Sequence, residues 1–497
     1  MVLALWLAGC SGRRVAPTGI PEGVSLVACF DFKSMSSKAL NARELLQLAL
    51  EQGLAWNQGQ QHTNTHFLKH LLQSGLDFQQ KAYLFGQLPQ ETSLPYLAFR
   101  FGLTNPSGFE KKLKENYPDF KPQQEASCKT WQSKGIHLSW ADSTGILLLG
   151  LPNVSAPKLE QKADELWEMR NKAGLERKNR NLRDFLLQDF DLGVWIDYTR
   201  LAQAAPPLPL SLPSEKLFNL VESLDYTLSF EKGRLDMNSR TVFNASTAGE
   251  YRKLLQKKLQ GGFLAQLPVT SPLGFAGLRL GLSGLQKMLD DWGGTSLLDG
   301  FLTFAGTDTR SLLKMFDGQI AISLETLRVQ AESSPGVEGL ICLGVAEYEA
   351  VQQLLDKMSG LFLKKKKDYY ALGWGEARLY ILLQKEALYL VTNELLRESI
   401  LDGKYSPSPR WQALGKDQTG FFYADIARLS GSWYPNEAKK DNPLLIMQHL
   451  EGQTLPLEGK ILKTRASVFL KDRTRNALPA LLQLIKDFTL PPGLIIH

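Results

Sequence analysis

Two segments of the chain, residues 136–149 and 379–391, place apolar side chains at every second position on both sides of a short turn. In the first segment, Ile136, Leu138 and Trp140 lie on one face of the predicted strand, and apolar residues return after the turn. The second segment has the same arrangement. Alternation with a period of two across a turn is typical of a half-buried β-hairpin.

Longer patterns recur in the two parts of the chain. A predicted strand at residues 97–102 leads into a helix near residues 109–113, and a strand at residues 340–345 leads into a helix near residues 351–357. Three further pairs match in the same order: residues 195–201 with 423–429, 24–35 with 274–285, and 226–243 with 460–469.

Repeats of this kind change the predicted unit of folding. We predict an α+β fold made of two similar halves, an internal duplication, at residues 20–262 and 263–497. Each half contains antiparallel strands and hairpins that helices cover. The alternative is a chance likeness between ordinary strand and helix patterns.

The first ten residues, MVLALWLAGC, join an apolar run to small residues and a cysteine. The run is too short to span a bilayer, but an export signal needs such a run followed by small residues at the cut. Residues 7–10 resemble the lipobox of bacterial lipoproteins. The resemblance implies cleavage after residue 9 and lipidation of Cys10, with residues 10–19 as a tether. The alternative is an irregular apolar N-terminal segment that contains a cysteine by chance.

The composition is that of an ordinary folded protein, with 43% hydrophobic and 22% charged residues. The net charge of +6 is spread along the chain, whereas a nucleic-acid binder concentrates its basic residues, so we expect no nucleic-acid partner. Cys29, Cys128 and Cys342 remain after Cys10. An odd number without a CxxC pair argues against both a disulfide framework and a cysteine metal site.

The segment after the tether has a recognisable order of residues. Residues 20–28 read IPEGVSLVA and residues 31–35 read DFKSM; SGLD at residues 74–77 is followed by YLF at 83–85. This order resembles a lipoprotein family of anaerobic Gram-negative bacteria, domain-of-unknown-function family 4836. Cys29 and Phe30 depart from its pattern. The resemblance implies an exported lipoprotein and carries no catalytic residue onto this chain.

Three histidines, His62, His66 and His70, recur at a spacing of four. On a helix this spacing places three imidazoles along one face, where they could bind zinc or nickel. Residues 63–65, however, are poor helix formers, and no carboxylate follows within one turn on that face. Solvent-facing histidines are the favoured interpretation, with a metal site as the alternative.

Three aspartates recur in equivalent positions along the chain. Asp31, Asp197 and Asp425 each end a strand-like run before a helical turn, so we predict that they cap those turns. Catalytic carboxylates would have to converge in one cleft.

A run of four lysines follows in the second half of the chain, at Lys364, Lys365, Lys366 and Lys367. A solvated loop is the default interpretation of such a run. The alternative is contact with anionic head groups, where each lysine contributes about 1 kcal/mol.

The sequence therefore favours a non-catalytic binding or envelope-assembly protein, lipid-anchored at the outer membrane and facing the periplasm. Its partners would be the membrane through the lipid anchor, and an envelope protein or an apolar or glycan ligand between the two halves. We expect no cofactor. The alternatives are a metal-dependent hydrolase that uses the three histidines and a periplasmic carrier of lipid or glycan.

We predict that the wild-type chain incorporates labelled palmitate in an exporting bacterial host and that Cys10→Ala does not, because the thiol of Cys10 is the attachment point. The measurement is fatty-acid labelling followed by immunoprecipitation. Cys128→Ala is the matched control and should label normally. Labelling of Cys10→Ala would contradict the lipobox assignment.

Overall fold

The structure is a computed structural model. It describes residues 18–38, 70–71, 74–88, 94–117, 119–133, 135–150, 154–172, 174–204, 220–328, 336–374, 377–403, 408–433 and 443–481. Helices and antiparallel strands build an α+β fold, which confirms the predicted fold class. Cys10, His62 and His66 lie outside the described residues.

The chain divides into two compact units. The first extends to Lys232 and includes the segment that starts at Asn476; the second extends from Gly233 to Arg475. This division follows residue 232, whereas the sequence pattern placed a boundary after residue 262. The physical reason is strand pairing: the strand at residues 234–243 is hydrogen-bonded along its length to a strand at residues 461–470, far away in the sequence.

The sheet of the first unit is entirely antiparallel, in the order β9-β8-β1-β2-β3-β7-β6-β5-β4. Its strands are β1 (Leu26–Asp31), β2 (Lys81–Gln87), β3 (Tyr96–Gly102), β4 (Gln123–Gln124), β5 (Lys129–Ser133), β6 (Ile136–Ala141), β7 (Thr144–Gly150), β8 (Leu192–Asp197) and β9 (Val221–Glu231).

The sheet of the second unit is also antiparallel, in the order β10-β20-β19-β18-β11-β12-β13-β17-β16-β15-β14. Its strands are β10 (Arg234–Phe243), β11 (Gly274–Arg279), β12 (Phe316–Arg328), β13 (Gly336–Val345), β14 (Lys364–Lys365), β15 (Tyr370–Trp374), β16 (Ala377–Gln384), β17 (Ala387–Val391), β18 (Gly420–Ala424), β19 (Met447–Thr454) and β20 (Ile461–Leu470).

Helices connect and cover these strands. Those of the first unit are α1 (Phe32–Lys38), α2 (Pro106–Asn116), α3 (Ala156–Met169), α4 (Leu175–Lys178), α5 (Arg180–Leu186) and α6 (Tyr198–Ala204). Those of the second are α7 (Ala245–Leu255), α8 (Gly261–Ala265), α9 (Leu282–Asp291), α10 (Gly294–Leu302), α11 (Thr309–Lys314), α12 (Tyr348–Ser359), α13 (Glu394–Asp402), α14 (Pro409–Gly415) and α15 (Ile426–Trp433), with short 3-10 helices at Thr303–Ala305 and Pro443–Ile446.

The predicted hairpins at residues 136–149 and 379–391 form. In the first, β6 and β7 are joined by a turn at Asp142 and Ser143, and Asp142 adopts a φ of 47°. Aspartate tolerates this left-handed conformation better than most residues. The second hairpin is formed by β16 and β17.

The sheet of the first unit is covered on both faces. Helix α3 buries Leu159 and Leu166 against one face, and α2 buries Phe109 against the other, where its ring lies 5.9 Å from that of Trp140. Strands that are buried on both faces have nearly continuous apolar sequences, as the ILLLG run of β7 illustrates.

One face of the second sheet is covered along the strands β11, β12, β13, β16, β17 and β18. Phe263, Ile400 and Trp411, from α8, α13 and α14, pack over it. On the opposite face, α12 places Val351 and Leu355 over the end formed by β15, β16 and β17. The helical cover is thus less complete in this unit than in the first.

A close approach between α7 and α9 depends on a glycine. A Cβ atom at Gly281 would lie 1.7 Å from the carbonyl oxygen of Lys253, at the end of α7. This distance is far below van der Waals contact, so a side chain here would force the two helices apart.

We predict that Gly281→Ala lowers the free energy of unfolding of the second unit by about 1–3 kcal/mol, the usual cost of overpacking. Gly249→Ala is the control, because Gly249 lies in α7 with nothing within 4 Å of the position that its Cβ would take, and alanine there should stabilise the helix by up to about 1 kcal/mol. Urea unfolding measures both. An unchanged midpoint for Gly281→Ala would show that the helices do not approach this closely.

Candidate functional site

The second unit exposes a concentrated group of large apolar side chains. The exposed fraction is 67% for Leu297, 70% for Phe301 and 75% for Phe304. We call the whole group the apolar crest; its members are Trp292, Leu297, Leu298, Phe301, Phe304, Leu361 and Phe362. Single exposed apolar residues are normal on protein surfaces, but a concentration of them marks an interaction site.

Most of the crest belongs to α10 and the 3-10 helix that follows it. Leu297, Phe301 and Phe304 are separated by four and three residues, the spacing that places side chains on one helix face. In most globular proteins such a face packs against the core. Helix α10, in contrast, has no buried residue.

Helix α10 is nevertheless held in place by polar contacts. The carboxylate of Asp299 accepts a hydrogen bond of 2.6 Å from the backbone N–H of Thr309, which begins α11 and is buried. Gly293 and Gly306, with φ of 74° and 63°, form the turns on either side. The apolar side chains are therefore presented by an anchored helix.

Trp292 directly follows α9, and the remaining two crest residues lie in the turn after α12. Leu361 and Phe362 are 56% and 62% exposed, whereas the next residue, Leu363, is buried in the cluster beneath α12. The backbone N–H groups of all three donate to the carbonyl oxygen of Met358. Burial of Leu363 thus fixes the turn so that Leu361 and Phe362 are exposed.

The predicted lysine run follows this turn directly and forms a small hairpin. Lys364 and Lys365 constitute β14, which pairs with β15, and the backbone N–H of Lys366 donates to the carbonyl oxygen of Tyr369. The ammonium group of Lys365 lies 2.5 Å from the carboxylate of Asp356. All four lysines are exposed. Residues 364–371 are called the lysine hairpin below.

A second apolar surface is a strip across the open part of the sheet in this unit. Ile322 lies opposite Ile341, and Ile341 lies opposite Leu390, so the three side chains share one face. Ile322 and Ile341 are 51% and 40% exposed. The row continues to Ile381, which α12 covers. We call this row the open strip.

The three predicted capping aspartates each accept a backbone hydrogen bond from the residue three positions ahead. The donors are the N–H groups of Ser34 for Asp31, Arg200 for Asp197 and Arg428 for Asp425, at 3.0, 3.1 and 3.0 Å. This is the geometry by which a carboxylate caps a helix. Asp31 and Asp197 are the last residues of β1 and β8, and Asp425 directly follows β18.

The predicted histidine cluster is represented in the structure by His70 alone. Its ring lies edge-on to Tyr117 at 5.7 Å. Within the described ranges, no group of three histidine, cysteine or acidic side chains is arranged to hold a metal ion. Because His62 and His66 are outside those ranges, the metal hypothesis stays a prediction.

The three buried cysteines are poor nucleophiles. Burial raises the pKa of the Cys29 thiol to about 12 and that of Cys128 to about 11, and burial also raises the pKa of Cys342. A reactive cysteine needs the opposite shift, since the thiolate is the reactive form. These thiols therefore act as small apolar groups in the cores.

A cavity of about 360 Å³ lies beside α2 in the first unit, and Glu110 and Lys129 are among its lining residues. Glu110 is bound by Lys114 at 2.7 Å and by Lys129 at 2.5 Å. Burial opposes ionisation, but these two ammonium groups prevail and lower the pKa of Glu110. A carboxylate held charged in this way is unsuited to general acid catalysis at neutral pH. Trp140, which also lines the cavity, is buried.

The sequence analysis did not identify His137 as a buried polar residue. It is 2% exposed on β6, and among the described residues neither ring nitrogen has a hydrogen-bond partner. Burial lowers the pKa of His137, so the imidazole is neutral at pH 7. The preceding and following apolar residues of the strand are the only sequence signal of its burial.

The crest was also missed, although its spacing is visible in the sequence. Leu297, Phe301 and Phe304 have the pattern of an ordinary core-facing helix. Nothing in the pattern itself distinguishes a buried apolar face from an exposed one. Among the described residues, no helix has the length and apolar content that crossing a bilayer requires.

No known family model matches the chain, and no curated protein matches it. Among solved structures, the chain is similar to TP0453 from Treponema in three crystal forms. For forms IV, III and I, the sequence identity is 10%, 11% and 10%, and the TM-score is 0.30, 0.30 and 0.29. The matches cover 46%, 50% and 47% of this chain, and 81%, 90% and 80% of TP0453.

Proposed function

We propose that this protein is a lipid-anchored, non-catalytic binding protein of the cell envelope, whose second unit contacts a membrane through the apolar crest. The lipobox-like residues before Cys10 support the anchor. The resemblance of residues 20–28 and 31–35 to family 4836 supports an exported lipoprotein of that family. Ser11, directly after the cysteine, is compatible with sorting to the outer membrane, and no acidic run that resembles a surface-export signal follows it, which favours the periplasmic face.

The exposed apolar side chains of the crest are the observation that carries this proposal. Moving a Leu or Phe side chain fully out of water contributes about 1.5–3 kcal/mol. Side chains that are already half-buried contribute less, so the seven residues together offer roughly 5–8 kcal/mol. This is enough for reversible attachment to a bilayer interface.

A membrane is favoured over a protein as the partner because of the anchor. A lipid on Cys10 keeps the chain at a bilayer, so any apolar surface that can reach the lipid meets it at high effective concentration. Two weak attachments to one membrane reinforce each other. An envelope protein that covers the crest is the outcome to be distinguished by experiment.

The chemistry of the described polar groups supports binding rather than catalysis. The thiol pKa values are raised, and Glu110 is held between two lysines. Asp191, which is fully buried, accepts bonds from Ser34, Lys38 and the backbone of Phe230. In each case the local contacts account for the group without a reaction.

We also propose that the two units arose by duplication. The segments that match in sequence have matching neighbours in the two sheets. Strand β3 lies between β2 and β7, and β13 lies between β12 and β17; β1 lies between β8 and β2, and β11 between β18 and β12. After a duplication, one copy could keep both faces of its sheet covered, while the other copy acquires an exposed apolar surface for contact with a partner.

A second candidate function is the carriage of a lipid, which the open strip favours. A row of apolar side chains that runs from beneath α12 to an exposed part of the sheet resembles the floor of a site for an acyl chain. Ligand sites are mostly apolar and concave, and α12 supplies one wall.

For the crest, we predict that Phe301→Ser combined with Phe304→Ser weakens binding to phosphatidylcholine vesicles about tenfold or more, because two large side chains no longer enter the bilayer. The measurement is cosedimentation of the chain from residue 11 onward, which lacks the lipid anchor but retains every described residue. Leu395→Ser is the control, since Leu395 is 75% exposed on α13, outside the crest. Equal binding by all three proteins would rule out the crest as the contact.

For the open strip, we predict that protein purified from its envelope carries an acyl-chain molecule that native mass spectrometry detects. Ile322→Asn combined with Ile341→Asn should reduce its occupancy severalfold, because polar side chains would interrupt the apolar floor. Leu401→Asn, at a residue of similar exposure on α13, is the control. Unliganded wild-type protein would remove the carrier function from consideration.

A further inference from the structure

We infer that the apolar crest and the lysine hairpin form one surface that selects bilayers with anionic head groups. The inference rests on the proposed function, because it names the class of membrane that the crest would bind. The crest accounts for attachment, and the lysine hairpin accounts for selectivity.

The crest residues of the 3-10 helix and those of the turn after α12 lie next to each other. Helix α12, which ends just before Leu361, contacts the 3-10 helix that carries Phe304. The ammonium group of Lys357 on α12 lies 3.6 Å from the position that a Cβ would take at Gly306. The exposed side chains on both sides of this contact therefore belong to one surface.

The lysines of the hairpin border this surface. Lys364 follows Phe362 after a single buried residue, Leu363. Lys366 and Lys367 lie at the tip of the hairpin, and within the described part of the chain no ion pair engages the ammonium groups of Lys364, Lys366 or Lys367. The charge beside Leu361 and Phe362 is thus predominantly positive and available to a partner, whereas Asp290 and Asp291 adjoin Trp292.

Polar contacts hold the lysine hairpin against α12. Asp356 accepts hydrogen bonds from Lys365 at 2.5 Å and from the hydroxyl group of Tyr370 at 2.7 Å. These bonds tie the base of the hairpin to α12, on which the crest turn also depends. Lys365 thus links the hairpin to α12, whereas Lys364, Lys366 and Lys367 remain exposed to solvent.

The combination fits a bilayer interface better than either part alone. Aromatic and aliphatic side chains enter the boundary between head groups and acyl chains, while lysines extend their charged ends to the head groups. Among residues 364–368, Asp368 is the only acid that offsets the lysines. Because each lysine near an anionic surface strengthens binding about fivefold, three of them contribute up to about a hundredfold.

The test uses the chain from residue 11 onward and two kinds of vesicle, phosphatidylcholine alone and phosphatidylcholine mixed in about equal parts with phosphatidylglycerol. Wild type should bind the anionic vesicles at least about tenfold more tightly than the neutral ones at low salt, and the difference should shrink as salt is added. The variant combines Lys364→Gln, Lys366→Gln and Lys367→Gln, and leaves Lys365 in contact with Asp356. It should bind both vesicles equally.

The control combines Lys253→Gln, Lys257→Gln and Lys416→Gln, three exposed lysines outside the hairpin, so that the total charge changes by the same amount. This control should retain the preference for anionic vesicles. Equal binding of wild type to both vesicles, or a preference lost equally in the control, would overturn the inference and leave the crest proposal intact. Failure of wild type to bind either vesicle would overturn both and favour a protein partner.

Discussion

Apolar side chains on both faces of each sheet impose the main constraint on this protein, because both faces have to be removed from water. An antiparallel sheet often leaves one face to solvent. Here β7 buries successive residues, so neighbouring side chains on opposite faces both need cover. In the first unit, α3 supplies that cover on one side and α2 on the other. The positions of the helices follow from this requirement.

The second unit meets the same constraint only in part. Helices α8, α13 and α14 cover one face, but α12 covers only one end of the other. Ile322 and Ile341 remain exposed on the sheet, and α10 directs its own apolar face to solvent. Because the hydrophobic effect favours burial of such side chains, these residues are where the described part of the chain would gain most from the proposed membrane contact.

Local polar contacts determine how that surface is presented. The bond between Asp299 and the backbone of Thr309 fixes α10 against α11, and Asp356 fixes the lysine hairpin against α12. These contacts bring basic residues to the border of the crest. A surface that joins fixed apolar side chains to neighbouring lysines has the composition of protein surfaces that bind at a lipid interface.

Some features of the protein were predictable from the sequence because they depend on nearby residues. Alternation in residues 136–149 and 379–391 identifies the hairpins, since side chains on a strand change face at every residue. Asp31, Asp197 and Asp425 could be interpreted as caps because a cap requires only the next helical turn. The α+β class follows from the same local patterns.

Other features were decided by the tertiary structure, because they depend on residues that are distant in sequence. The strand at residues 234–243 pairs with residues 461–470, and no local pattern specifies that partner. Leu297, Phe301 and Phe304 have the spacing of a core-facing helix, yet their exposure depends on how α9 and α11 place α10 and how α12 meets the 3-10 helix after it. The sequence therefore determines that these residues form an apolar face, and only the packing around them decides that the face meets solvent.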